Sequence, residues 1–265
     1  MAELRIQICR PPDKLRFLFN RDEISKWRYF ILKGGRGGGK TETLGQFFVV
    51  NSFNDSGDIL CIREVQNSIS DSVYKVIVEW IEKLEVEDYF HILKTEIVNK
   101  QTGARFIFRG MKGTTESSSI KSLKGVKFVW YEEAQTATKP SIDMLLPTIR
   151  IEGCKFFFSM NPDSEADVVP TIVGASPMCK TVHINYYENQ YCPQVLIDQA
   201  EECKELFPQE YDHIWLGKAR SDGDRQTVVT KELLYQCVDA HKELGHTEGF
   251  AYGGLDLAAG ELKKE

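Results

Sequence analysis

The residues with the clearest chemistry lie between Phe30 and Thr43, in the stretch FILKGGRGGGKTET. Gly34-x-x-x-x-Gly39-Lys40-Thr41 fits the pattern G-x-x-x-x-G-K-[ST], with an apolar run before it and a helical pattern after it. Glycines at 34, 35, 37, 38 and 39 let a loop fold around an anion with successive backbone N–H groups pointing inward. The positive end of the following helix then faces the β-phosphate of a nucleotide. In such a loop Lys40 reaches the β- and γ-phosphates, and the Thr41 hydroxyl ligates Mg²⁺. Gly35, Arg36, Gly37 and Gly38 complete the expected ATP-binding set, with Arg36 the one cation among the glycines.

Downstream, KFVWYEEAQT carries four apolar or aromatic residues, Phe128 to Tyr131, that end in Glu132–Glu133. A P-loop ATPase needs two carboxylates at such a strand edge, one to orient the metal and one to polarise the attacking water. Glu132 is assigned to Mg²⁺, although it is one methylene longer than the more usual aspartate, and Glu133 is assigned as catalytic base. Adjacent side chains on a strand point to opposite faces, so both can serve one site only where the backbone turns at the strand's end. The plain alternative is a solvated acidic pair. A third stretch, FFFSMNPDS, ends in Ser159 and Asn161. These sit beside the phosphates if their strand neighbours that of Glu132, where they can couple γ-phosphate loss to a moving part. The alternative there is an Asn-Pro turn closing a strand.

These groups need a scaffold, and the chain alternates strand with helix, which predicts an α/β fold with a mostly parallel central sheet flanked by helices. Strands are expected at Tyr29–Lys33, Asp58–Arg63, Phe128–Tyr131, Phe156–Met160 and Thr181–Asn185. Helices are expected at about Thr41–Phe53, Ile69–Leu84, Pro140–Ile149, Pro193–Phe207 and Thr230–Ala240. Pro140 and Pro193 suit first-turn positions, where a missing N–H costs nothing. TEIVN and ARFIFRG flank KQTG as a hairpin, with Gly103 in the turn. The composition becomes more charged and aromatic after Pro177. The expected division is a core over residues 1–177, a small helical linker or lid over 178–248, and a new strand within 249–265.

Composition narrows the classes further. A net charge of −6 gives no global basic field, so any nucleic-acid contact must be a local patch. Seven cysteines with no C-x-x-C pair, and five scattered histidines, read as reduced thiols without a zinc site. No apolar stretch is long enough to span a bilayer, and the first residues lack the core of a signal peptide. The expectation is a soluble intracellular protein with no membrane partner.

With these elements in hand, the chain resembles the tailed-phage terminase large subunits, of PBSX type. GGRGGGKT, CIREVQNSISDSV, IKSLKGVKFVWYEEA, FSMNP and YDHIWLGKA carry the resemblance, in the family's order, from about Lys33 to Ala219. It implies a P-loop NTPase core of ASCE type, a linker subdomain and then an RNase H-like nuclease. The implied activity is ATP hydrolysis driving double-stranded DNA into a procapsid. The implied partners are a portal protein, a small terminase subunit and further copies of the chain in a ring, and the implied location is the bacterial host cytoplasm with transient docking on the procapsid. Asp256, in YGGLDLAAG, matches the first metal-binding aspartate of the nuclease. Its companion acids would lie past residue 265, so no nuclease activity is expected of this chain.

The resemblance also gives Arg36 a γ-phosphate role in cis and makes Arg150, after LLPTI, the candidate finger for a neighbouring subunit. The stretch from Asn99 to Lys127 carries a local charge of +6, and its Lys112, Lys121 and Lys124 are candidate contacts to a DNA backbone. Two other readings compete: a helicase-like ATPase of the same fold, and a nucleotide-binding scaffold without catalysis. A GTPase is disfavoured because NKQT at 99–102 lacks the aspartate of N-K-x-D, and a small-molecule kinase because no Arg-rich lid follows Pro177.

Overall fold

A computed structural model of the chain describes residues 6–64, 73–112, 120 and 123–220. A short 3-10 turn, Asp13–Phe19, and helix α1 (Arg21–Ser25) lead into strand β1 (Tyr29–Lys33). Helix α2 (Lys40–Ser52), strand β2 (Asp58–Arg63) and helix α3 (Val73–Lys83) follow. Strands β3 (Phe90–Ile92), β4 (Glu96–Asn99), β5 (Arg105–Gly110) and β6 (Val126–Glu132) come next, then helix α4 (Lys139–Thr148) and strand β7 (Lys155–Met160). Strand β8 (Cys179–His183), helix α5 (Gln194–Leu206) and helix α6 (Pro208–Ile214) complete the described chain.

Among the described residues the strands form one sheet in the order β3-β4-β5-β2-β6-β7-β1-β8. From β5 to β8 every pairing is parallel, and β3 and β4 are antiparallel additions at one edge. The interior strands read as near-continuous apolar runs because helices cover both faces. In β7, for example, Phe157 packs into the cluster under α2 and α3 while Phe156 and Phe158 face the cluster under α4. Phe157 stacks on Phe30 of β1 at 4.6 Å between ring centroids, which pins β7 beside β1.

β7 therefore lies between β1, which leads into the glycine-rich loop, and β6, which ends in Glu132. Leu32 and Glu132 are both register partners of Ser159, so the carboxyl ends of three adjacent strands converge. Ligands of open α/β sheets bind at that edge. The hairpin also forms as its sequence requires, with Gly103 at φ +79° between β4 and β5.

Some elements differ from expectation. β3 is three residues long with His91 and Ile92 exposed, too short to show a period in the sequence. The last strand ends at His183 instead of Asn185, because Asn185 turns out of the sheet to cap the 3-10 turn Tyr186–Glu188. After it, α5 and α6 build a small core of their own around Tyr186, Ala200, Tyr211 and Trp215. The expected helix at Thr230–Ala240 and the strand within 249–265 lie outside the described residues.

Candidate nucleotide site

Beyond β1 the backbone makes a tight loop whose last glycine, Gly39, has φ +75° and caps α2. Glycine adopts that left-handed turn without strain, and Lys40 follows it as the first residue of the helix. The Lys40 ammonium donates to the carbonyls of Gly34 and Gly35 at 2.9 and 2.7 Å. Lys40 is buried, which pushes its pKa down to about 8, and the Glu132 carboxylate offsets only part of that. A folded-back lysine at the loop mouth is the charge that a polyphosphate would recruit.

The loop is gripped from behind by the segment that follows β8. Asn185 Oδ1 accepts from the Gly35 N–H at 2.9 Å, and the Ile214 carbonyl accepts from the Arg36 N–H at 2.9 Å. A Cβ at Gly35 would lie 1.9 Å from the Trp215 carbonyl oxygen, so no side chain fits there. Asn189 adds a bond from its amide to the Gly37 carbonyl at 2.7 Å. Gly34, Gly37 and Gly38 likewise lie close against Ile184 and Tyr186, so several glycines of the motif allow close packing against the segment that follows β8.

Across the cleft β6 ends at Glu132. Its Oε1 accepts from Thr41 Oγ1 at 2.7 Å, while Oε2 accepts from Trp130 Nε1 at 3.1 Å and from Ser159 Oγ. Burial raises the Glu132 carboxyl above its usual range, against the hydrogen bonds of Ser159 and Thr41 and the charges of Arg63 and Lys40. Cis ligands of an octahedral Mg²⁺ with bonds of 2.0–2.1 Å lie about 2.9 Å apart. The 2.7 Å between Thr41 Oγ1 and Glu132 Oε1 fits that demand. Thr41 and Glu132 are the residues that would hold the ion.

Glu133 has φ +53°, a left-handed conformation rare outside glycine, and this is where the backbone turns off the strand. The turn brings Glu132 and Glu133 to the same cleft, of about 860 Å³, which Thr41, Arg36, Ser159 and Asn161 also line. Glu133 pairs with Arg63 at the end of β2, and the Arg63 side chain is only 10% exposed. Next to it, buried Glu64 accepts from Tyr131 Oη, from Thr138 Oγ1 at 3.2 Å and from Ser141 Oγ at 3.1 Å. Those bonds tie the end of β2 to the first turn of α4.

The expected site residues divide accordingly. Gly34–Thr41, Glu132, Glu133, Ser159 and Asn161 converge, and Ser159 donates directly to the Glu132 carboxylate. Arg36 is exposed at the cleft, whereas Arg150 is exposed beyond α4 and does not line it. Lys112 and Lys124 are exposed. Lys121 and Asp256 lie outside the described residues. Asn185, Trp130 and Glu64 were missed by sequence reasoning. YDHIWLGKA, which holds Trp215, carried part of the family resemblance but did not indicate that it packs against the loop.

The family model for the phage terminase large subunit matches residues 26–218. The chain is 29% identical over 211 residues to the terminase large subunit of Bacillus phage SPP1, covering 73% of this chain and 49% of that protein. It is 25% identical over 264 residues to the PBSX phage terminase large subunit of Bacillus subtilis (strain 168), covering 88% of this chain and 60% of that one. It therefore spans about half the length of the first of these relatives. Among solved structures, the large terminase of a thermophilic bacteriophage matches with a TM-score of 0.65 at 13% identity, over 79% of this chain and 54% of that one. That phage's protein has also been solved with ADP and with ATP-gamma-S. The large terminase ATPase domain of Thermus phage P74-26 matches with a TM-score of 0.54 at 13% identity, over 78% of this chain and 98% of that domain. The strand order, the phosphate loop facing an acid pair and the match over residues 26–218 agree, and the chain belongs to the phage terminase large subunit family.

Proposed function

We propose that this chain is the ATP-hydrolysing motor portion of a terminase, which drives double-stranded viral DNA into a procapsid. The observation that carries the reading is the Thr41–Glu132 contact at 2.7 Å, with Glu133 immediately beyond it in the same cleft. The loop amides and Lys40 bind the β- and γ-phosphates of ATP, and Thr41 and Glu132 hold Mg²⁺. The ion, when bound, neutralises charge that develops on the phosphate oxygens. Glu133 leaves Arg63 to take a proton from the attacking water. Arg36 contacts the γ-phosphate in cis, and Arg150, exposed and away from its own cleft, suits a neighbouring subunit's site in a ring.

Coupling runs through two contacts. Ser159 and Asn161 join β7 to the acid pair and the cleft, and Asn185 joins the loop to the α5–α6 segment. A change at the γ-phosphate thus has a physical path to the segment that would move. Lys112, Lys121 and Lys124 grip the DNA backbone without reading bases. The remaining partners are a portal protein on the procapsid, a small terminase subunit and other copies of the chain, in the cytoplasm of the bacterial host.

The test is turnover by Glu133→Gln and Glu133→Ala, with DNA present and at high protein concentration. Loss of a general base costs roughly 10²–10⁴ in rate, so kcat should fall about 100-fold or more while ATP binding persists. Unchanged turnover removes Glu133 from the mechanism. No turnover in the wild type as well would favour a nucleotide-binding assembly scaffold.

A further inference from the structure

The two carboxylate oxygens of Glu132 have different neighbours. Oε1 accepts from Thr41 Oγ1 at 2.7 Å, the pair that suits the ion. Oε2 accepts from Trp130 Nε1 at 3.1 Å and from the Ser159 hydroxyl. Trp130 also donates to Ser159 Oγ at 2.8 Å, so its N–H is shared between two oxygens. The sheet places all three groups together. Trp130 precedes Glu132 by two residues on β6 and shares its face, and Ser159 is the register partner of Glu132 on β7. The indole is fully buried and stacks on Phe48 of α2, with 5.5 Å between ring centroids and 24° between planes. Its N–H is thus presented from a ring held by packing.

The chemistry of these groups fixes the direction of each bond. An indole N–H can only donate, whereas a serine hydroxyl donates or accepts. With Trp130 donating to Ser159 Oγ, the Ser159 proton has to go elsewhere, and it goes to Glu132. That hydroxyl has no other hydrogen-bond partner among the described residues. A phenylalanine would fill much of the same apolar space, as Phe128 on β6 and Phe157 on β7 do in the same cluster. It would leave Oε2 with one donor and the Ser159 oxygen with none.

We propose that Trp130 is a positioning residue for the metal-binding carboxylate. Its N–H, together with the Ser159 hydroxyl that it orients, occupies Oε2 of Glu132 and keeps Oε1 beside Thr41 for the ion. The inference rests on the reading of Thr41 and Glu132 as the residues that would hold Mg²⁺ with ATP. Trp130 does not line the cleft, so it acts through Glu132. Groups that hydrogen-bond a metal-binding carboxylate set its orientation, and their removal costs roughly 10–100-fold in metal affinity.

The experiment uses the full chain with Trp130→Phe, which removes the N–H and shrinks the ring, and with Trp130→benzothienylalanine, which removes the N–H at nearly unchanged ring size. Binding of a fluorescent ATP analogue is measured without divalent ions and across a Mg²⁺ titration. Turnover is titrated with Mg²⁺ in the same way, and thermal melting is recorded alongside. Both variants should bind the analogue without Mg²⁺ within twofold of wild type. Their Mg²⁺ midpoint should rise about tenfold. Ser159→Ala should raise it too, and Trp130→Phe combined with Ser159→Ala should raise it by less than the product of the single shifts, since both act on one oxygen. A full product overturns the inference. So does a midpoint within twofold of wild type in the benzothienylalanine variant, which leaves the Mg²⁺ site standing. A shift confined to Trp130→Phe and matched by a fall in Tm assigns Trp130 to packing and also overturns it. If Mg²⁺ changes neither analogue binding nor turnover in the wild type, the reading of Thr41 and Glu132 falls, and this inference with it.

Discussion

Arg63, at the end of β2, closes an ion pair on Glu133, at the turn after β6, and so holds the proposed base before any nucleotide arrives. The pair is asymmetric: the guanidinium is 10% exposed and the carboxylate 50%. Arg63 also lowers the pKa of Glu132, against the rise that burial imposes. Removing it as Arg63→Ala should cost stability of about 2 kcal/mol, in the range for hydrogen bonds to charged groups. The acid limb of the pH–rate profile should move upward, since Glu132 loses a cation. An acid limb that stays in place would separate Arg63 from the carboxylates.

Lys40 sets a pH dependence of nucleotide binding. Its pKa is pushed down to about 8 in the nucleotide-free protein, and a polyphosphate favours the charged form. Binding should therefore take up a proton near pH 8, and affinity should be about tenfold weaker at pH 9 than at pH 7. Calorimetry in buffers of different ionisation enthalpy reads the proton directly. The stability term has its own sign. The folded pKa lies below the unfolded 10.5, so the burial cost is full below pH 8 and fades as pH rises from 8 to 10.5. Nucleotide-free protein should gain stability from this group over that window, and Lys40→Met should abolish both effects.

The grip on the phosphate loop can be cut in two ways. Asn185→Ala removes the acceptor of the buried Gly35 N–H and should lower unfolding free energy by about 1–3 kcal/mol. Hydrogen exchange at the Gly35 amide should speed up with it. Gly35→Ala should do more, since its Cβ meets a backbone oxygen at 1.9 Å and α6 would have to move away. Equal effects from the two substitutions would argue that the α5–α6 segment yields easily.

DNA binding, if it rests on phosphate contacts, should weaken steeply with salt and ignore sequence. Lys124→Ala should weaken binding by a similar factor on all sequences and reduce the slope of log affinity against log salt by about 1. Sequence-limited or salt-independent binding would count against a translocating grip.

Local pattern carried a large part of this fold. The limits of β1 and β2 follow from apolar runs between turn residues, and the hairpin from TEIVN, Gly103 and ARFIFRG, because those signals are read over a few neighbouring residues. The position of β8 was blurred by two residues for the opposite reason: HIN reads as strand locally, but the capping role of Asn185 appears only when Glu188 folds back on it.

By itself the sequence located the glycine-rich loop, the adjacent carboxylates Glu132–Glu133 and the turn that must follow them if both are to reach one cleft, since each of these is a pattern of a few neighbouring residues. Strand order was a tertiary decision. Placing β7 between β1 and β6 brings Ser159 onto Glu132, and placing β2 beside β6 brings Arg63 onto Glu133. The return of the chain after β8 brings Asn185 and Trp215 against Gly35. These partners are separated by tens of residues to well over a hundred, and no periodicity or propensity spans such distances. Only the pairing of strands across a closed core, where each buried polar group must find a partner, selects them.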